Sequence, residues 1–281
     1  MSPPTTQAVI LAGGQGTRMR RDDGTDLSGL SEAQRSAAAA GVKAMMPVEG
    51  AVGNAGRPFL DYIISALADA GIRETVVVVP PGHAAIGSHY ARTPPERVAL
   101  RFAVQEKPRG TADALLTARN AVRDAPFLAV NADNYYSPAA LRAAAGIGGC
   151  GLVAYEAGAL VRESGIDEER VLRYALVDLT DGGLLGAIRE KPAPDDPLAR
   201  AGERWVSMNL WSFTPAIFDA CERVTPSPRG ELELQDAVTI AMHDLGIAFR
   251  VVRAREAVLD LSCRADVSRV ARQLAGVEVR P

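Results

Sequence analysis

The chain has 281 residues, 47% of them hydrophobic and 23% charged, with 34 acidic against 31 basic side chains for a formal net charge of −3. A chain this apolar and this evenly charged folds, and its length suits one large α/β domain or two small ones. The mild acidic excess excludes a broad nucleic-acid-binding face. No basic segment leads into an apolar core and a cleavage site, and no apolar run approaches the roughly 18 residues of a membrane span, so the expectation is a soluble, cytoplasmic protein without a membrane partner. Cys150, Cys221 and Cys263 are odd in number and far apart, which argues against a disulfide framework or a thiolate metal site. Among the 31 basic side chains only Lys43, Lys107 and Lys191 are lysine.

Residues 7–12 form a short apolar run that ends at Gly13-Gly14, which predicts a strand followed by a tight turn. Residues 20–41 then open polar and Gly-rich, continue through a capping-box pattern at Ser31–Gln34, and end an Ala-rich turn at Gly41. This 20–42 stretch reads either as a lid over whatever the glycine loop binds or as a surface insertion. Residues 58–71 carry Leu60, Ile63, Ile64 and Leu67 at helical spacing, and 75–79 are β-branched throughout, completing a β-α-β unit. Further strands are predicted at 99–104, 127–132, 151–155, 174–179 and 249–253, with helices near 111–122, 215–222 and 234–245. The alternation predicts a three-layer α/β/α sandwich around a mostly parallel mixed sheet. With no internal repeat and no low-complexity linker, residues 1–281 read as a single domain.

The loop after the first strand, Leu11-Ala12-Gly13-Gly14-Gln15-Gly16-Thr17-Arg18, carries the first chemical signal. Glycines let the backbone approach a ligand and turn successive N–H groups toward phosphate oxygens, and Arg18 offers a planar fork for a phosphate. The loop lacks the Gly-Lys-Ser/Thr ending of a P-loop and the third glycine of a dinucleotide fingerprint.

The string resembles the nucleotide-binding signature of the sugar-phosphate nucleotidylyltransferases, the pyrophosphorylases that make nucleotide sugars. Seven further segments resemble the family's motifs in order: Lys43-Ala44-Met45-Met46-Pro47, Gly56-Arg57-Pro58-Phe59-Leu60, Gln105 to Ala114, Asn131-Ala132-Asp133, Arg189-Glu190-Lys191-Pro192, Arg229 to Asp236, and Leu259-Asp260-Leu261. The resemblance implies a Rossmann-like nucleotide-diphospho-sugar transferase (GT-A-like) fold, with a nucleotide-binding half at about 7–135 and a sugar-phosphate-binding half at about 136–265. It also implies Mg²⁺-dependent attack of a sugar-1-phosphate oxygen on the α-phosphorus of a nucleoside triphosphate, UTP or dTTP by preference. In that reaction negative charge crowds the centre and must be offset by cations held in place.

By the same resemblance, Leu11, Ala12, Gly13, Gly14, Gly16 and Thr17 cradle the nucleotide, Arg18 binds its outer phosphates, and Gln105, Gly110 and Thr111 read the base. Lys43 bridges attacking and leaving phosphates, and Lys191 holds the sugar phosphate. Glu190 and Asn209 face the sugar, and Asp133 and Asp260 hold Mg²⁺. Ser207 and Asn209 stand where relatives carry an Asn-Ala-Gly stretch, and the connection from Arg18 to Lys43 is longer than in most relatives, so the sugar is left open. Read without the resemblance, Asp133 is a turn former, Asp260 a solvent-facing edge residue, and Glu231, Glu233 and Asp236 a solvated acidic helix start. Trp205 and Trp211 read as packing residues before sugar platforms. The rival functions are a cytidylyltransferase for a non-sugar phosphate acceptor and a non-catalytic homologue that senses a nucleotide sugar. A homo-oligomer is compatible with the sequence.

Overall fold

The computed structural model describes residues 5–21, 24, 27–48 and 56–281. Residues 22, 23, 25 and 26 of the 20–42 stretch lie outside the described residues. One sheet of nine strands runs through both halves of the chain: β1 (Gln7–Leu11), β2 (Glu74–Val79), β3 (Ala99–Val104), β4 (Phe127–Asn131), β5 (Gly151–Glu156), β6 (Ala175–Leu179), β7 (Leu185–Arg189), β8 (Trp205–Phe213) and β9 (Arg250–Ala254). The main path is β7-β6-β8-β4-β1-β2-β3, and β5 pairs with both β8 and β9. β3, β2, β1 and β4 are parallel, with Val9 opposite Val76 on one side and Ala129 on the other. β8 runs antiparallel to β4, β5 and β6, so the sheet is mixed.

In β1, Ala8 and Ile10 face one apolar cluster while Val9 faces the other, all at most 1% exposed. This explains why its sequence is a continuous apolar run: a parallel strand covered on both faces has no polar side to show. Phe59–Asp69, Pro138–Ala145 and Asp266–Leu274 are helices of the first layer. Thr111–Thr117, Ile217–Cys221 and Leu234–His243 are helices of the second. The three-layer expectation therefore holds. Trp211 is fully buried and stacks on Phe213 with centroids 5.5 Å apart, and Trp205 is 5% exposed beneath Arg253 and Arg255. Both tryptophans are core residues.

Ser31 caps the Glu32–Ala40 helix with the reciprocal pattern its sequence predicts: its Oγ accepts from the Gln34 N–H at 3.3 Å, and Gln34 Oε1 accepts from the Ser31 N–H at 3.1 Å. Gln34 Nε2 also donates to Pro47 O at 2.9 Å, tying this helix to the chain just beyond Lys43. The helix stops at Gly41 in the left-handed region, φ 71°. Gly41 rests against Gly16, where a Cβ would lie 2.0 Å from Gly41 O. That contact and φ 61° both require glycine at position 16.

At the other end of the chain, the Leu259–Asp260 strand pairs with Asn134–Tyr135 beside the end of β4. A buried ionic brace holds it there. Arg170 donates to Asp260 Oδ2 at 2.6 Å and to Asp266 Oδ1 at 2.7 Å, while Arg269 donates to Asp266 Oδ1 at 2.8 Å. The backbone N–H groups of Ser262 and Cys263 donate to Asp266 Oδ2. Burial opposes ionisation of Asp266, but hydrogen bonds and charge from Arg170, with Arg269 and the Cys263 N–H, outweigh it and hold the carboxyl well below the usual carboxylate range.

Asp266→Ala leaves two partly buried arginines without their shared acceptor, and the expected loss is about 3 kcal/mol of unfolding free energy in a urea titration at pH 7. Because the folded pKa is depressed, the stabilisation from Asp266 is present above its unfolded value and is lost as pH falls. The wild type should therefore lose more stability below about pH 4 than the variant does.

Candidate active site

The glycine loop, the turn after β2, the end of β3 and the end of β4 all lie at the carboxyl edge of the four parallel strands, where open α/β sheets leave a crevice. They enclose a cleft of about 810 Å³ together with the chain around Lys43. Leu11, Ala12, Gly13, Gly14, Gly16 and Thr17 all line it, as do Gln105, Gly110, Thr111, Lys43 and Asp133. These predicted nucleotide residues are therefore brought together.

Lys43 opens a short 3₁₀ turn, Lys43–Met45, two residues after Gly41, and its Nζ is 2.8 Å from Asp133 Oδ2. The Lys43 side chain is 15% exposed and that of Asp133 26%, so the pair is sheltered but open to the cleft. No described residue donates to Asp133 Oδ1. The carboxylate can therefore meet a hard cation, for which carboxylate and phosphate oxygens are the suited ligands. Asp260 differs. It is 3% exposed, outside the cleft lining, and its oxygens accept from Arg170, Tyr174 and Ser262. The Leu261 N–H donates to Asp133 O at 2.8 Å, so the two aspartates share a backbone contact although their side chains are differently engaged. The solvent-facing reading of Asp260 does not hold.

Gln105 is 5% exposed at the end of β3. Its Nε2 donates to Asp113 Oδ2 at 2.8 Å and to Gly110 O at 3.1 Å. Asp113 is buried and also accepts from Arg109. Gln105 Oε1 points to the glycine loop, where a Cβ on residue 13 would lie 2.6 Å from it.

The cleft also holds residues to which the motif reading gave no place in it. Arg18 and Arg20 share the one-turn helix Thr17–Arg20, yet Arg20 lines the cleft and the exposed Arg18 does not. Positions two apart on a helix point to opposite sides, which a linear motif does not reveal. His83 lines the cleft from the turn after β2, with Nδ1 3.2 Å from Pro80 O, and Glu231 lines it from the second half. The strand-end position of His83 was the available signal.

Glu190, Lys191 and Asn209 lie outside this cleft lining. Lys191 at φ 46° and Asn209 at φ 60° are the two non-glycine residues with positive φ among the described residues. Backbone strain of this kind gathers at functional sites. Asn209 sits in the register shift of β8 between Ser207 and Trp211, and its Oδ1 accepts from Gln235 and from the Trp211 indole. Glu190 Oε1 is 4.0 Å from both Lys191 Nζ and Arg229 Nη2. Burial pushes its carboxyl up to about 7, the charge of Glu233 adds to this, Arg229 offsets part of it, and Asp236 and Glu231 add more. Glu233 is itself buried and bonded to Arg229 at 2.6 Å, so this acidic group is not the fully solvated helix start its sequence suggests.

A family model described as Nucleotidyl transferase matches residues 44–258. A UTP–glucose-1-phosphate uridylyltransferase of Haloferax volcanii is 31% identical over 239 residues, covering 83% of this chain and 82% of the relative. A glucose-1-phosphate thymidylyltransferase of Streptomyces griseus is 30% identical over 241 residues, again 83% of this chain, which spans only 56% of that relative's length. Among solved structures, a UDP-glucose pyrophosphorylase complexed with UDP-glucose matches with a TM-score of 0.72 at 15% identity, covering 96% of this chain and 98% of the other. An inositol-1-phosphate CTP transferase from T. maritima matches at 0.69 and 17% identity, covering 99% and 100%. Both structural likenesses concern the fold. The motif order, the cleft and the matched span agree: this chain belongs to the nucleotidyl transferase family.

Proposed function

We propose that this chain transfers a nucleotidyl group from a nucleoside triphosphate, UTP or dTTP by preference, to a sugar-1-phosphate, giving a nucleotide sugar and pyrophosphate. The observation that carries the proposal is the Lys43–Asp133 pair, 2.8 Å apart, opening onto a cleft whose rim is the glycine loop. The relatives named for uridylyl and thymidylyl transfer to glucose-1-phosphate support it. The sensor reading has less support, since Arg18, Lys43, Asp133, Lys191 and Asp260 are all retained.

In this reading the triphosphate lies along the backbone of residues 13–17, with Arg20, and Arg18 at its solvent side, drawing its outer phosphates. Gln105, Gly110 and Thr111 meet the base. Lys191 holds the sugar phosphate, and Glu190 and Asn209 meet the sugar. A sugar-phosphate oxygen attacks the α-phosphorus while the bond to the pyrophosphate oxygen breaks, and Lys43 offsets the charge that gathers between them. A compact ammonium on a flexible stem fits between two phosphates where a guanidinium is too wide. Asp133 would hold Mg²⁺, and Asp260 would join it only by giving up its bonds to Arg170 and Tyr174. Bound there, the cation would neutralise phosphate charge and orient the α-phosphate.

A matrix of nucleoside triphosphates against sugar-1-phosphates, read by pyrophosphate release, tests the proposal. Turnover is expected with UTP or dTTP and a hexose-1-phosphate, and no product in any cell would overturn it. Lys191→Ala should raise KM for the sugar phosphate by at least about tenfold, the scale of one lost charge-assisted contact, with nucleotide affinity unchanged; equal losses for both substrates would contradict its role.

Glu190 supplies a pH signature. Ionised, it accepts hydrogen bonds from sugar hydroxyls, so KM for the sugar phosphate should fall as pH rises through about 7, and Glu190→Gln should flatten that dependence. The stability sign is opposite. A carboxyl with a raised folded pKa stabilises most below its unfolded value, and that contribution is lost as pH rises through about 7. Thermal melts should therefore show wild type losing stability between pH 5 and pH 8 relative to Glu190→Gln, by about 1–3 kcal/mol.

A further inference from the structure

The side-chain amide of Gln105 has one chemically allowed orientation. Asp113 is buried and paired with the Arg109 guanidinium, and a carboxylate in an ion pair accepts hydrogen bonds but has none to give. Gly110 O is likewise only an acceptor. The two protons of the Gln105 NH₂ group are thus directed to Asp113 Oδ2 and Gly110 O, at 2.8 and 3.1 Å. Turning the amide over would set Oε1 against two oxygens. Oε1 is left on the cleft side against Gly13, and no described residue donates to it. The cleft wall therefore presents a fixed acceptor that opens onto the cleft and is available to a ligand's donor.

Nucleobases answer such an acceptor differently. Uracil and thymine carry a ring N–H at position 3 between two carbonyls, whereas the same ring position of cytosine bears a lone pair. Next to Gln105, the Gly110 carbonyl is turned back to the amide, and the Gly110 backbone at φ 123° lies on Leu232, where a Cβ would come within 2.4 Å of Leu232 O. The acceptor is thus held by a stiff turn as well as by a charged side chain. Asp113 is not itself among the residues that line the cleft and acts on it through Gln105.

We propose that Asp113 is a positioning residue that sets the nucleobase preference: it holds the Gln105 carbonyl toward the base, so that the cleft takes a triphosphate whose base donates a ring N–H, of the uracil or thymine kind, over cytosine. The inference rests on the reading of the cleft as a nucleoside triphosphate site.

Equilibrium titrations of UTP, CTP and N3-methyl-UTP, without sugar phosphate, into wild type, Asp113→Asn and Arg109→Ala test it. Wild type should prefer UTP over CTP and over N3-methyl-UTP by at least about tenfold, since a site built for an N–H rejects a base lacking it. Asp113→Asn, whose own amide can donate to a turned Gln105, should narrow the UTP-to-CTP ratio to within about threefold. Arg109→Ala removes the cation paired with Asp113 and should narrow the ratio less than Asp113→Asn does, since the Gln105–Asp113 contact itself remains. If wild type binds no triphosphate, the reading of the cleft falls, and this inference with it. If wild type binds UTP but Asp113→Asn retains the full preference, only the role of Asp113 is overturned. Should the Asn variant fail to fold, N3-methyl-UTP binding to wild type as tightly as UTP would still refute the fixed acceptor.

Discussion

The ion pair between Lys43 and Asp133 joins two parts of the chain that arrive at the cleft by unrelated routes. Asp133 comes directly off the end of β4, and Lys43 comes at the end of a long excursion that begins at the glycine loop. Bringing them to 2.8 Å requires the Glu32–Ala40 helix to stop abruptly and its last turn to press on the loop. Gly41 provides the stop and Gly16 the clearance. The capping box at Ser31 and the bond from Gln34 to Pro47 fix the helix at its N-terminal end. A helix of nine residues has little stability alone, so its place depends on these ties and on packing of Leu30 and Ala38 into the core.

From that pair outward, the site is graded in polarity. The proposed nucleotide side is built largely from backbone and small residues on a parallel sheet, with Arg20, Lys43, Asp133 and Glu231 as its charged members. The proposed sugar side is built from charged side chains on the antiparallel half, around Glu190, Arg229 and Glu233, in a backbone strained at Lys191 and Asn209. This division accounts for a net charge of −3 in a protein that handles phosphates: the cations are local, and acidic groups surround them. It also gives the scarce lysines a logic, since Lys43 enters the cleft, Lys191 stands half-exposed beside Glu190, and Lys107 faces solvent.

Much of this was legible in the sequence where a residue's role follows from local chemistry. β1, β2 and β4 are recognisable because burial on both faces leaves an uninterrupted apolar run. The capping box and the glycine loop are local patterns too. β8 was not recognised, because the shift at Asn209 breaks its alternation and the residues that pair with it are distant in sequence. The helix Pro138–Ala145 was hidden by its alanines, which leave Leu141 as its one large apolar anchor. In the site, the motif order singled out Gln105 and Asp133 but not what surrounds them. Asp113 as the partner of Gln105, Arg20 in place of Arg18 on the cleft wall, and Arg170 on Asp260 are all three-dimensional relations between positions whose spacing carries no fixed period.

The central claim is that nucleotidyl transfer to a sugar-1-phosphate takes place where Lys43 and Asp133 meet. Single-turnover transfer of label from [α-³²P]UTP into a nucleotide sugar, in wild type, Lys43→Ala and Asp133→Asn, tests it most directly. The account predicts labelled nucleotide sugar in step with pyrophosphate release in wild type. It also predicts at least about a hundredfold slower transfer in each variant, the scale set by losing one charge-stabilising group, with thermal stability retained. Label transfer at the wild-type rate in either variant would contradict it.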